Sequence, residues 1–291
     1  DLLPCPNFAD FVCPALVAAG TTGYLQPNHI AALRHASVSS YVSKVRVPTL
    51  LVQGERDTLF NLNEAVATYR ALQAQGTETK MIWQLGGHSG DGAPGEVDWS
   101  DPSRGYTTSR VIGWFERHLK GRAVSTGPEF AYFREWVDYT GSAAPAYGSS
   151  STFPVGTRQT WRMSGTGDLV TGTTAAAPGT QSFVTPGAGL PTRLDELDVL
   201  GSMIGPLDDL VRDLPGTYAG WSTAPLTRPV RVAGIPTVRL AVQAPTAALT
   251  QTLGPAGQLV LFVKVADVAP DGTTRLINGL EAPVRIADVT R

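Results

Sequence analysis

The chain is 291 residues long, 42% hydrophobic and only 16% charged, with a formal net charge of −2. That composition belongs to a folded globular protein with length for two ordinary domains. The weak negative charge implies no basic face, which argues against nucleic acid or an anionic membrane as the partner. Apolar runs such as "VPTLLV" and "QLVLFVKVADV" are too short to span a bilayer.

In the first 43 residues, "FADFVCPALVAAG" and "NHIAALRHASVSSYV" predict short helices with polar caps, a lid-like segment more than a central core. Cys5 and Cys13 stand close together there, either bridged in an exported protein or both buried as thiols. "VRVPTLLVQG", residues 45–54, is the near-continuous aliphatic run of a parallel strand buried on both faces. "NLNEAVATYRALQAQG" follows as a helix. Asn61 and Glu64 have capping-box spacing, Leu62, Ala65, Val66, Tyr69 and Leu72 form an apolar face, and Gly76 is the stop.

"TKMIWQL", residues 79–85, predicts the next strand, and "YTTSRVIGWFERHLKG" a second helix with Val111, Trp114, Phe115 and Leu119 facing inward. Strand, helix, strand, loop, helix is the edge of a parallel α/β sheet. From Glu129 the character changes. "EFAYFREWVDY" alternates like a strand, and Gly- and Pro-rich segments then separate short runs at 157–164, 180–184, 228–244, 257–280 and 282–289. "PDG" at 270–272 is the turn of a hairpin, with Asp271 and Gly272 able to take positive φ. This half reads as an antiparallel β-sandwich of jelly-roll type.

Two residues stand where a hydrolase sheet places its acid and its base. Asp57 follows "TLLVQGER", a helix crosses back, and His88 follows "MIWQLGG". A carboxylate there can hold the imidazole in one tautomer and stabilise the imidazolium formed when it takes a proton from a serine. Gly86 and Gly87 let the backbone turn sharply beside the ring. The competing reading of Asp57 is a turn or helix-cap residue, and of His88 an ordinary loop histidine. Their order, with a helix between, favours the pair. His118 fits the last turn of a helix, where it meets the macrodipole, and His29 and His35 read as lid or surface residues. A metal site from His88, Asp91 and Asp98 lacks a second convincing histidine. The nucleophile motif G-x-S-x-G occurs nowhere in the chain, and "GHSG" at 87–90 puts its serine against the base. Only 56 residues precede Asp57. The expectation is a nucleophile upstream, outside this chain, which begins at Asp1 without Met and reads as a mature product or a piece of something longer.

The segments "VRVPTLLVQGERDTLFNLNEAVATYRAL", "GGHSG" and "TAPLTRPVRVAGIPTVRLAV…LFVKVADVAPDGTTRLINGLEAPVRI" closely resemble the serine hydrolases of the Xaa-Pro dipeptidyl-peptidase and CocE/NonD acyl-esterase group. The resemblance runs from about Ser40 to Arg291. It implies three parts: the end of a helical cap over 1–39, the C-terminal part of an α/β-hydrolase domain over 40–141, and a galactose-binding-like jelly roll over 142–291, truncated at its C-terminus. Asp57 matches the family's triad acid and His88 its triad base; the serine, the oxyanion-hole donors and most of the cap have no counterpart here. The implied activity is cleavage of small peptide or ester substrates by acyl transfer, with no metal or organic cofactor and with the missing N-terminal part of the hydrolase as partner.

The alternative is a non-catalytic fragment whose β-sandwich binds carbohydrate or protein, with Trp161, Tyr218 and Trp221 as a stacking platform; core or interface packing is the competing account of those rings. A calcium reading of Asp195, Asp198, Asp208 and Asp209 lacks the D-x-D-x-D-G loop, and a solvated loop fits better. Paired cysteines, few lysines and many glycines favour a secreted protein over a cytoplasmic one.

Overall fold

A computed structural model describes residues 8–57, 59–88, 92–172, 174–185 and 213–289. The chain divides into two compact units, Asp1–Ser151 with Ile235–Arg291, and Thr152–Gly234. No helix among the described residues is long and apolar enough to cross a membrane.

The first unit opens with helices α1 (Val12–Thr22) and α2 (Pro27–Ala36), where both were expected. Cys13 is disulfide-bonded; Cys5 lies outside the described residues. His29, read as a lid or surface residue, is buried on α2, whereas His35 is exposed.

A four-stranded mixed sheet follows in the order β1 (Thr49–Gly54), β2 (Thr79–Gln84), β3 (Phe130–Phe133), β4 (Tyr147–Ser150). The first three strands are parallel and β4 is antiparallel to β3. β1 starts at Thr49, four residues later than the aliphatic run, because Pro48 has no N–H for the ladder. Helix α3 (Leu62–Ala74) links β1 to β2. Asn61 caps it by accepting from the Asn63 N–H at 3.0 Å, and Ala65, Val66, Tyr69 and Leu72 are buried as its periodicity requires.

Helix α4 (Tyr106–Lys120) links β2 to β3 and only partly meets expectation. Trp114 is buried, but Phe115 and Leu119 are exposed, and with Ile112 they form a second stripe at i, i+3 and i+7. Helical periodicity marks such a stripe without revealing whether anything covers it. His118 sits in the last turn as expected, its ring 4.3 Å from that of Trp114 and its Nε2 3.5 Å from a Glu78 oxygen.

Ile82, Ala131, Phe133, Tyr106 and Tyr147 form one core cluster, and Trp83 meets Phe130 edge to face on the adjacent pleat. Strand β1, at the edge, is the exception. Its Leu50 and Leu51 are half-buried and Val52 is 37% exposed, although the run has the composition of a strand covered on both faces.

The same unit contains a short helix α5 (Pro245–Thr250) and an antiparallel hairpin of β7 (Leu259–Val268) and β8 (Thr274–Ile286). The hairpin turns where "PDG" placed it, with Gly272 at φ 85° and the Thr273 N–H bonded to the Asp271 carboxylate at 2.8 Å; Asp271 itself stays out of the positive-φ region. The second unit contains the antiparallel pair β5 (Arg162–Met163) and β6 (Leu169–Val170). Residues 180–184 and 228–242 carry no strand; Pro229 and Pro236 each remove a ladder donor from the second of these runs.

Candidate functional site

The C-terminal ends of parallel strands are where α/β sheets assemble ligand and catalytic loops. Here the loops leaving β1 and β2 are pressed together backbone to backbone. A Cβ built on Gly54 would stand 1.8 Å from the Gly86 carbonyl oxygen, and one on Gly87 would stand 2.7 Å from the Arg56 oxygen. Neither Gly86 nor Gly87 has a positive φ. Gly54 and Gly87 therefore serve close approach of the two loops.

That contact brings Asp57 and His88 onto adjacent loops. Asp57 is buried. Its Oδ1 accepts the Leu59 N–H at 3.0 Å and the Phe60 N–H at 2.7 Å, and its Oδ2 accepts the Gln53 amide at 3.1 Å. Gln53 also donates to the Phe60 carbonyl at 2.5 Å, closing the loop on itself. An ionised carboxylate accepts about four hydrogen bonds, so Oδ2 keeps room for an imidazole N–H. His88 is exposed, and its ring meets Phe60 edge-on with centroids 5.5 Å apart. The two side chains are not hydrogen-bonded to each other. Phe60 connects them, carrying one of the N–H groups that fix Asp57 and packing against the imidazole. The arrangement can hold a base beside solvent with a fixed, buried acid behind it.

Two further carboxylates lie close by, and neither stands out in the sequence. Glu96 is fully buried and accepts from the Leu85 and Ala93 N–H groups and the Tyr147 hydroxyl. Glu55, two residues before Asp57, is buried with a backbone hydrogen bond at Phe133. Burial, and then the neighbouring Glu96 carboxylate, push the Glu55 carboxyl up to about 8, with Glu135 adding to the effect and Arg56 opposing it. A raised folded-state value means stability is fully present below the ordinary 4.5 and is lost as pH rises through about 8. Glu55→Gln stays neutral throughout. Its unfolding free energy, measured by denaturant titration from pH 5 to 9 beside the parent, is expected to gain on the parent progressively, by roughly 3–5 kcal/mol at the alkaline end. Parallel curves would contradict the burial argument.

Arg56 pairs with Glu135, which Arg275 also approaches at 3.4 Å, so the guanidinium next to Asp57 faces away into its own ion pair. Asp98 accepts from the Ser100 N–H and hydroxyl and the Asp101 N–H, and the first of these effects, the Ser100 side-chain bond, holds its carboxyl below the usual range. Asp91, its companion in the metal reading, lies outside the described residues, as do Asp195, Asp198, Asp208 and Asp209. Among the described residues no three His, Cys, Asp or Glu side chains cluster as metal ligands. In the second unit Trp221 is half-buried and donates its indole N–H to the Ser164 carbonyl at 3.0 Å, whereas Trp161 and Tyr218 are exposed.

The chain matches no model of a known protein family and no curated protein sequence.

Proposed function

We propose that this chain is the C-terminal portion of a serine hydrolase of the Xaa-Pro dipeptidyl-peptidase and CocE acyl-esterase type, supplying the acid Asp57 and the base His88 of a Ser-Asp-His triad. The observation that carries the reading is the backbone contact at Gly54, Gly86 and Gly87, which sets a buried, hydrogen-bonded carboxylate and an exposed imidazole on neighbouring loops at one sheet edge. The position of β1 at the edge of the sheet, with Val52 exposed, supports further parallel strands beyond it, on which the nucleophile would stand. In the finer fold reading, the sheet is the end of an α/β-hydrolase domain and the later strands belong to a galactose-binding-like jelly roll. The disulfide at Cys13 favours export.

In the reaction the upstream serine attacks a carbonyl carbon while His88 takes its proton. The imidazolium then gives that proton to the departing amine of a peptide or alcohol of an ester, and water, activated by the same imidazole, releases the acyl group. For this the His88 ring must donate its Nδ1–H to Asp57 Oδ2, a bond the two side chains do not make in the structure, which would hold the tautomer whose Nε2 is free to accept. Backbone N–H groups outside this chain hold the oxyanion.

The test is fluorophosphonate labelling of the parent enzyme, with the labelled peptide mapped by mass. Label is expected on a serine upstream of these residues and lost in His88→Ala. A labelled serine within the 291 residues would overturn the upstream nucleophile. No label at all would end the hydrolase reading, and the exposed Trp161 and Tyr218 would then direct the search to glycan binding by the second unit.

A further inference from the structure

We infer that Glu96 is a positioning residue for His88, its carboxylate holding both flanks of the segment that carries the histidine. Leu85 lies three residues before His88 and Ala93 five after it. The Leu85 N–H donates to Oε1 of Glu96 at 3.0 Å, with Oε2 at 3.3 Å, and the Ala93 N–H donates to Oε2 at 2.7 Å. The Tyr147 hydroxyl donates to Oε1 at 2.6 Å from β4, on the far side of the sheet order from β1. A Cβ on Gly92 would stand 3.0 Å from Oε2, so the chain at that point runs against the carboxylate.

The backbone of Glu96 extends the same hold. Its N–H donates to the Ala93 carbonyl at 3.1 Å, and its carbonyl accepts the Thr107 N–H at 2.8 Å in the first turn of α4. Tyr147 is itself fixed, stacked on Tyr106 with ring centroids 3.5 Å apart. The end of β2, residues 92 and 93, the start of α4 and β4 therefore meet at one residue.

A fully buried carboxylate is costly unless donors replace its water. Two of the donors here are the flanks of the His88 segment, so the carboxylate's solvation and the anchoring of that segment are one arrangement. Only a carboxylate presents two acceptor oxygens to two separated N–H groups while also receiving a hydroxyl; the amide of glutamine offers one oxygen. The consequence for acyl transfer rests on the hydrolase reading, because an unanchored base would sit away from its working position. The anchoring itself does not.

The experiment compares the parent enzyme with Glu96→Gln and Tyr147→Phe. It reads amide hydrogen exchange at Leu85 and Ala93, the imidazole resonances of His88, and the rate of fluorophosphonate labelling. In Glu96→Gln, exchange at those two amides is expected to rise about tenfold or more over that of the sheet amides. The His88 signal, displaced by the edge-on Phe60 ring, moves toward that of a free imidazole, and labelling slows about 10–100-fold. Tyr147→Phe leaves both N–H bonds in place and produces a smaller change at the same sites. If Glu96→Gln does not fold, Tyr147→Phe decides alone by whether its exchange rises selectively at Leu85 and Ala93. A folded Glu96→Gln with unchanged exchange and an unchanged His88 signal overturns the inference, as does a uniform rise across the sheet. A parent enzyme that takes no label defeats the hydrolase reading only, and the exchange and resonance data still judge Glu96.

Discussion

Asp57→Asn is expected to slow acyl transfer by the parent enzyme about 10⁴-fold while leaving its fold in place. The substitution separates the two roles open to this residue. As a turn residue Asp57 uses Oδ1 to accept the Leu59 and Phe60 N–H groups, and asparagine keeps an oxygen that does the same. As a triad acid it must offer Oδ2 to the His88 ring as a charged acceptor. Asparagine puts an NH₂ there, which cannot accept an imidazole N–H and cannot stabilise the imidazolium. The ring then turns to the wrong tautomer and presents a donor where the serine needs an acceptor. Gln53 donates through one amide nitrogen to both Oδ2 and the Phe60 carbonyl, so opposite asparagine it keeps one of these two bonds and loses the other, at a cost of about 1 kcal/mol. The measurement is kcat on an ester and an amide substrate beside the melting temperature. A large loss of kcat with a small thermal shift assigns the acid. Parental kcat with the same small shift would leave Asp57 a turn residue and His88 without its orienting partner.

The part of the fold that is legible in the sequence is the part written in short range. The β1–α3–β2 unit is legible because each piece carries its own period: an aliphatic run, an apolar face at 62, 65, 66, 69 and 72, and a cap at Asn61. Asp57 and His88 are legible for the same reason, since each lies a few residues beyond a recognisable strand. Glu96 is not. In "PGEVDWS" it is one acid among polar neighbours, and what makes it a buried anchor is Tyr147, fifty-one positions away. Charged residues in Gly- and Pro-rich sequence are ordinarily solvated, so no local pattern separates this one from Asp98. Glu55 is hidden likewise, its environment being set by Phe133, Glu96 and Glu135 from other places in the chain. The stripe of Ile112, Phe115 and Leu119 fails differently: its period is visible, but a period does not state what it packs against.

Gly54→Ala is expected to destabilise the protein by about 3 kcal/mol or more and to lower activity along with stability. The added methyl would lie 1.8 Å from the Gly86 carbonyl oxygen, 2.8 Å from its carbon and 3.0 Å from the Gly87 Cα. These are backbone atoms, so no rotamer change relieves the clash. Either the ends of β1 and β2 separate or the two loops move apart. Separation breaks the Glu55 N–H bond to the Gln84 carbonyl, now 2.7 Å, at the last rung of the parallel ladder. Moving the loops shifts Asp57 relative to His88, and a displacement of about 1 Å can cost on the order of 10²-fold in rate. Gly20→Ala in helix α1 is the matched control. Nothing lies within 4 Å of its built Cβ, and alanine is preferred in a helix by about 1 kcal/mol, so it should leave stability unchanged or raised. The two variants differ by the same methyl, so the comparison isolates the contact from any general sensitivity to lost glycine. If Gly54→Ala melts and turns over like Gly20→Ala, the loops are not in contact, and nothing in the backbone then holds the acid and the base side by side. If it melts lower and its surviving folded fraction also labels more slowly, one glycine is serving both the ladder and the dyad.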